Sequence, residues 1–113
     1  MKYQDLEVFR RTTNVYELFF ATDGQYEDIT GWTIYFTVKE SQKDPDTSAI
    51  IVKDITSHID AEHGRTEIEL TPEDTDIATK NYWYDIVVKD DEGNINVISH
   101  GRLRVVEHAT DRA

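Results

Sequence analysis

Several groups of side chains in this sequence have types and spacing that could do chemistry. His58, Asp60, Glu62 and His63 would offer imidazole and carboxylate ligands to a divalent metal. A turn ahead of Gly64 needs the same polar residues, and the turn is the preferred reading. Asp44 with Asp46, and Asp90 with Asp91 and Glu92, are oxygen donors of the kind calcium takes. Neither set follows the EF-hand spacing, and both fall in stretches where acids simply solvate a turn. Asp85 stands inside an apolar run between Tyr84 and Ile86, where burial could perturb it as it does a catalytic acid. Alternation turns it outward with Trp83 and Val87, which favours an exposed or interface role. Ser41, Ser48, Ser57 and Ser99 are available hydroxyls, yet none lies in a G-x-S-x-G elbow and no triad is evident. No glycine-rich phosphate loop exists. Paired carboxylates for glycoside hydrolysis decide nothing, because with 23 acidic residues some pair always qualifies by chance. The expectation is a non-enzyme that needs no cofactor and no metal.

Composition narrows the partners. The net charge is −11, from 23 acidic against 12 basic residues, which opposes nucleic acid and anionic membrane surfaces. There is no cysteine, so disulfides, thiolate metal sites and thiol nucleophiles are excluded. No run approaches the roughly 20 apolar residues of a membrane span, and MKYQDLEVFRR lacks a signal-peptide core. Membrane insertion is not expected, and synthesis in a cytoplasm without self-directed export is. At 113 residues the chain is expected to be a single domain over residues 1–113.

The elements that must position these side chains are strands, because the hydrophobic period is two nearly throughout. Leu6 and Val8 open a short strand. In NVYELFFAT, Tyr16, Leu18 and Phe20 share one face, and Val15, Glu17 and Phe19 the other. Asp23-Gly24 makes a turn. In DITGWTIYFTVK, Trp32, Ile34, Phe36 and Val38 face the core while Thr33, Tyr35, Thr37 and Lys39 face out. A polar loop with Pro45 leads to the short strand IIVKDI. RTEIEL turns Ile68 and Leu70 inward and Glu67 and Glu69 to water. Thr71-Pro72-Glu73-Asp74 carries a hydroxyl N-cap, a proline at the first helical position and first-turn acids, predicting about two helical turns. YWYDIVVK, the turn DDEG and NINVISHGRLRVVE form a hairpin, with Gly101 marking a bulge or a close backbone approach.

About seven strands with one short helical turn predict an all-β, antiparallel β-sandwich. Trp32 and Tyr82 match the buried tryptophan and corner tyrosine of immunoglobulin-like sandwiches, and LTPEDTDIATKNYWY resembles the corner itself. Tyr84 stands where such domains carry their second cysteine, so Trp32 is expected to pack on the Tyr84 and Ile86 face. The ordered set DITGWTIYFTV, GRTEIELTPEDT, YWYDIVVKDDEGN and GRLRVV resembles the small immunoglobulin-like domains of tailed-phage tail and baseplate proteins, including the amino-terminal domain of the baseplate upper protein family. The resemblance covers most of Asp28 to Val106. It implies a virion structural component, with time in the host cytoplasm during assembly, whose partners are itself or neighbouring virion proteins.

The expected working surface is an outer sheet face. If DDEG closes the hairpin so that Val88 opposes Ile95, then Asp85 pairs with Ile98 and Trp83 with His100. That places Trp83, Val87, Ile98 and, further along, Val106 on one outward surface, beside Tyr35, Asp85 and His100. So much apolar area on a face expected to meet only water asks for a partner. The bland alternative is that Lys89, Arg102 and Arg104 cover the patch with their alkyl stems. The other class of function is a carbohydrate or cell-surface binding module, in which Trp83, Tyr35 and Tyr26 would stack on a sugar. Exposed aromatics are equally normal at protein interfaces, and the protein-assembly reading is preferred.

Overall fold

The computed structural model describes residues 2–110 and 112. Its strands are β1 (Lys2–Tyr3), β2 (Leu6–Phe9), β3 (Asn14–Phe19), β4 (Ala21–Thr22), β5 (Gln25–Tyr26), β6 (Thr33–Lys39), β7 (Ile51–Ile55), β8 (Arg65–Leu70), β9 (Asn81–Lys89) and β10 (Ile95–Val106). One layer is a six-stranded sheet of order β1-β10-β9-β6-β7, with β2 also on β10; the opposing layer is the pair β3-β8. The chain is an all-β, immunoglobulin-like sandwich. Two features differ from the expected architecture. β1 and β2 run parallel to β10, so the large sheet is mixed rather than purely antiparallel. They are two halves of one edge strand, interrupted where the Asp5 carboxylate accepts the Arg102 N–H at 3.1 Å. The other addition is the small β4-β5 hairpin, whose turn holds Asp23 at φ 52° and Gly24 at φ 77°. Positive φ at both central positions matches the right-handed twist of its strands.

Alternation builds the core as expected. Ile34, Phe36 and Val38 on β6, Ile68 and Leu70 on β8, and Leu103 on β10 are fully buried. Trp32 does not join them. The turn Ile29–Trp32, closed by Trp32 N–H to the Ile29 carbonyl at 3.0 Å with Gly31 at φ 83°, ends one residue before β6 begins. The indole is therefore half-buried at the end of the sandwich, edge-on to Phe20 at 5.4 Å. Phe36 occupies the central position instead, with its ring 5.9 Å from that of Tyr84. An edge-to-face pair is a favourable arrangement of ring quadrupoles, but it does not replace full burial.

The corner between β8 and β9 is tied down more tightly than a two-turn helix allows. Thr71 N–H donates to Asp74 Oδ2 at 2.8 Å and Asp74 N–H to Thr71 Oγ1 at 3.2 Å, a reciprocal cap of the kind that opens a helix. The buried Thr75 hydroxyl then donates to the Thr12 carbonyl and accepts the Thr12 N–H, both at 2.9 Å. Long-range bonds thus take over after a single turn, and the segment does not continue as a helix. The short 3₁₀ turns lie elsewhere, at Asp46–Ser48 and Ala61–His63. Tyr82 behaves as the resemblance implies: its hydroxyl donates to the Ala78 carbonyl at 2.7 Å.

The β9-β10 register departs from expectation. Asp90 N–H donates to the Asn94 carbonyl at 2.9 Å, and Asp90 Oδ1 accepts the Glu92 and Asn94 N–H groups. The connection therefore runs to Asn94, and Ile95 opposes Lys89 rather than Val88. A β-bulge between Val97 and Ser99 then shifts the pairing again, so His100 opposes Asp85 and Arg102 opposes Trp83. Gly101 marks a close approach: a Cβ there would collide with the Gln4 carbonyl oxygen. Tyr84 donates its hydroxyl to that same carbonyl.

Candidate assembly surface

Odd-numbered residues of β6 and β9 project from the large sheet away from the core, as their alternating burial records. With the observed pairing they fall into rows across the sheet. Val97, Val87, Tyr35 and Asp54 form one row; Tyr3, His100, Asp85, Thr37 and Val52 form the next; Arg102, Trp83 and Lys39 form a third. The first two rows make an apolar and aromatic band with Asp85 near its centre. Its edges are open: Tyr3 is 59% exposed, Val52 53% and Val97 40%.

Five of the residues expected at an interface come together here: Tyr35, Trp83, Asp85, Val87 and His100. Ile98 does not. The bulge turns it inward, and it packs against the core. One extra residue reverses the facing of everything before it relative to everything after it. Val97 therefore takes the outward place opposite Val87. Val106 stays on the outer face but at the far end of β10, beyond Arg104 and beside Phe9 of β2. Val97, Val52 and Tyr3 were missed by sequence reasoning. The spacing of Ile95 and Val97 carried a signal for one of them, whereas Tyr3 lies in a segment with no pattern of its own.

Two shallow hollows, about 270 and 420 Å³, flank Asp85 and share Thr37, Lys39 and Asp85. Burial pushes the Asp85 carboxyl above the usual carboxylate range, with the Lys39 ammonium opposing that shift. Lys39 is itself held by Asp46 at 2.7 Å. Arg102 places its guanidinium carbon 5.0 Å from the centre of the Trp83 ring, a cation-π contact that covers part of the indole. Screening of the patch by a basic side chain is thus realised at Trp83.

The other candidates resolve into structural roles. His58 lies between the layers: its Nε2–H donates to the Trp32 carbonyl at 2.8 Å, and Nδ1 meets the Thr66 hydroxyl at 2.8 Å. His63 turns away to the surface and pairs with Asp60 at 3.0 Å, so the two imidazoles do not converge. No group of three metal-ligating side chains gathers among the described residues. Asp44 accepts the Ser41 N–H, and Asp90 caps its own turn. Backbone and side-chain hydrogen bonds from Asn94 hold the Asp90 carboxyl below the usual range. Tyr26 packs edge-on to His63 at 5.8 Å, on a hairpin separate from the large sheet that carries Trp83 and Tyr35.

No protein-family model and no curated protein sequence matches the chain. Among solved structures, the extracellular domain of the voltage-gated sodium channel beta4 subunit, described as a parallel homodimer in cell-cell adhesion, is 13% identical with a TM-score of 0.49, covering 96% of this chain and 95% of that one. A structure from work on cell-adhesive interactions of sodium channel beta subunits is 12% identical with a TM-score of 0.47, covering 94% and 93%. Murine CRIg is 8% identical with a TM-score of 0.41, covering 93% and 92%. The strand order carries the fold assignment: an edge strand parallel to β10, then β9, β6 and β7, facing the pair β3-β8.

Proposed function

We propose that this protein is a non-enzymatic assembly module that works by docking the outer face of its large sheet against another protein surface. The observation that carries this reading is the apolar band of Tyr3, Tyr35, Val52, Val87 and Val97, half-buried at Tyr35 and Val87 and open at Tyr3, Val52 and Val97, on a face where a solvated antiparallel sheet is ordinarily polar. The setting we propose is a phage virion, in a tail, baseplate, fibre or neck. Support for that setting is the ordered sequence resemblance between Asp28 and Val106. A sugar-binding role has less support, because the Trp83 ring is covered by Arg102 and Tyr26 belongs to a separate hairpin. The test is Trp83→Glu, assayed for association by light scattering with candidate tail proteins and for entry into purified particles by mass spectrometry. Loss of association with unchanged circular dichroism is the expected result. Normal entry of the variant into particles would refute the assembly reading.

A further inference from the structure

The outer face is unlike the rest of the molecule in charge. The chain carries −11 overall, which repels a second copy at most approaches. On this face Lys39, Lys89, Arg102 and Arg104 are nearly balanced by Asp5, Glu7, Asp46, Asp54 and Asp85. Most of the excess negative charge therefore lies elsewhere, so two copies can meet here without its full penalty. Both signs are interspersed across the face. Glu7 and Asp5 lie beside Arg104 and Arg102 at the β10 edge, Asp54 stands on β7, and the exposed Asp46 overhangs the β6 end of the face through its bond to Lys39.

We propose that the occupant of this face is a second copy of the chain, related by a two-fold axis that runs along the strands between β9 and β6. This rests on the assembly reading above and names its partner. A two-fold axis in that direction exchanges β10 with β7 and β9 with β6 while leaving each row opposite itself. Val87 then meets the second copy's Tyr35, the Asp85 carboxylate meets the Thr37 hydroxyl, and the Trp83 ring meets the Lys39 ammonium. Arg102, already leaning over Trp83, meets Asp46, whose side chain is 88% exposed and free to accept a second cation. Every contact occurs twice. The overlap is modest: the four exchanged strands, about 4.8 Å apart, and about 3.3 Å per residue over the seven residues of β6, span roughly 440 Å² in projection. Set against the roughly 800 Å² per partner of a standard stable interface, this fits a weak, concentration-dependent dimer.

The test is sedimentation equilibrium or light scattering on the intact protein and on two single charge reversals, Arg102→Glu and Asp46→Arg. The wild type is expected to dimerise, and each variant alone to weaken the dimer roughly tenfold or more, because like charges meet twice. Mixed in equal amounts, the two variants are expected to form a heterodimer with affinity near wild type, since the reversed charge at position 102 of one copy then faces the reversed charge at position 46 of the other. A wild-type monomer at high concentration, or variants that dimerise as well as wild type, overturns the proposal. So does failure of the mixture to recover, which would show that Arg102 and Asp46 do not face each other. If the protein is monomeric and yet Trp83→Glu abolishes entry into particles, the partner is a different protein and only this inference falls. If Trp83→Glu also changes nothing, the assembly reading falls with it.

Discussion

Replacing Phe36 and Trp32 in turn separates a core centred on the first from one centred on the second. Phe36 is fully buried and stacks against Tyr84, so Phe36→Ala removes its transfer free energy and leaves a cavity, a loss of about 3–5 kcal/mol. Trp32 is half-buried and its main aromatic partner is Phe20. Because part of the Trp32 ring stays open to solvent, the expected loss for Trp32→Ala is smaller, roughly 2–4 kcal/mol, of which about 0.5–1.5 kcal/mol belongs to the edge-to-face pair. Urea denaturation followed by far-UV circular dichroism, with a common slope for all variants, gives both values. Fluorescence is unsuitable as the sole probe, because Trp32 is one of only two tryptophans. A double-mutant cycle with Phe20→Ala isolates the pair, and its coupling is expected to match the aromatic share of the loss. If Trp32→Ala costs as much as Phe36→Ala, or shows no coupling to Phe20, the placement of the core is refuted.

Tyr82→Phe removes only the hydroxyl bond to Ala78 and is expected to lose about 0.5–1.5 kcal/mol in the same denaturation assay; no loss would mean that the bond does not hold the corner. Gly101→Ala drives a methyl group into the Gln4 carbonyl, so a loss of about 1–3 kcal/mol is expected, with amide exchange accelerated in β1 and β2; a neutral change would refute the close approach. Asp85→Asn is expected to raise the thermal midpoint of the dilute monomer at pH 7. Burial raises the folded-state carboxyl above its unfolded value, so stability falls as pH rises from the unfolded value through the folded one. The gain should therefore vanish below the unfolded-state value, and a variant less stable than wild type at pH 7 would contradict the assignment.

What the sequence determined by itself was local alternation. Ile34, Phe36 and Val38 face inward, and Tyr35, Thr37 and Lys39 outward, because successive side chains on a strand must point to opposite faces. The same rule placed Trp83, Asp85 and Val87 outside and Tyr82, Tyr84 and Ile86 inside. It breaks wherever a distant segment intervenes. Ile98 turns inward because a bulge adds one residue to β10, in a region where Gln4 of the edge strand binds the His100 carbonyl at 2.9 Å; nothing in NINVISHG marks which residue is extra. Trp32 is left at the rim because the turn before it ends one residue ahead of the first strand pairing. The helix signal at Thr71–Asp74 is real as a cap, yet Thr75 is captured by Thr12, 63 residues away, and the second turn never forms. The candidate face divides in the same way. Its side chains on β6 and β9 were legible from period two, and the spacing of Ile95 and Val97 pointed to Val97, whereas Tyr3 joins it only by pairing with His100 at the other end of the chain, which no local pattern encodes.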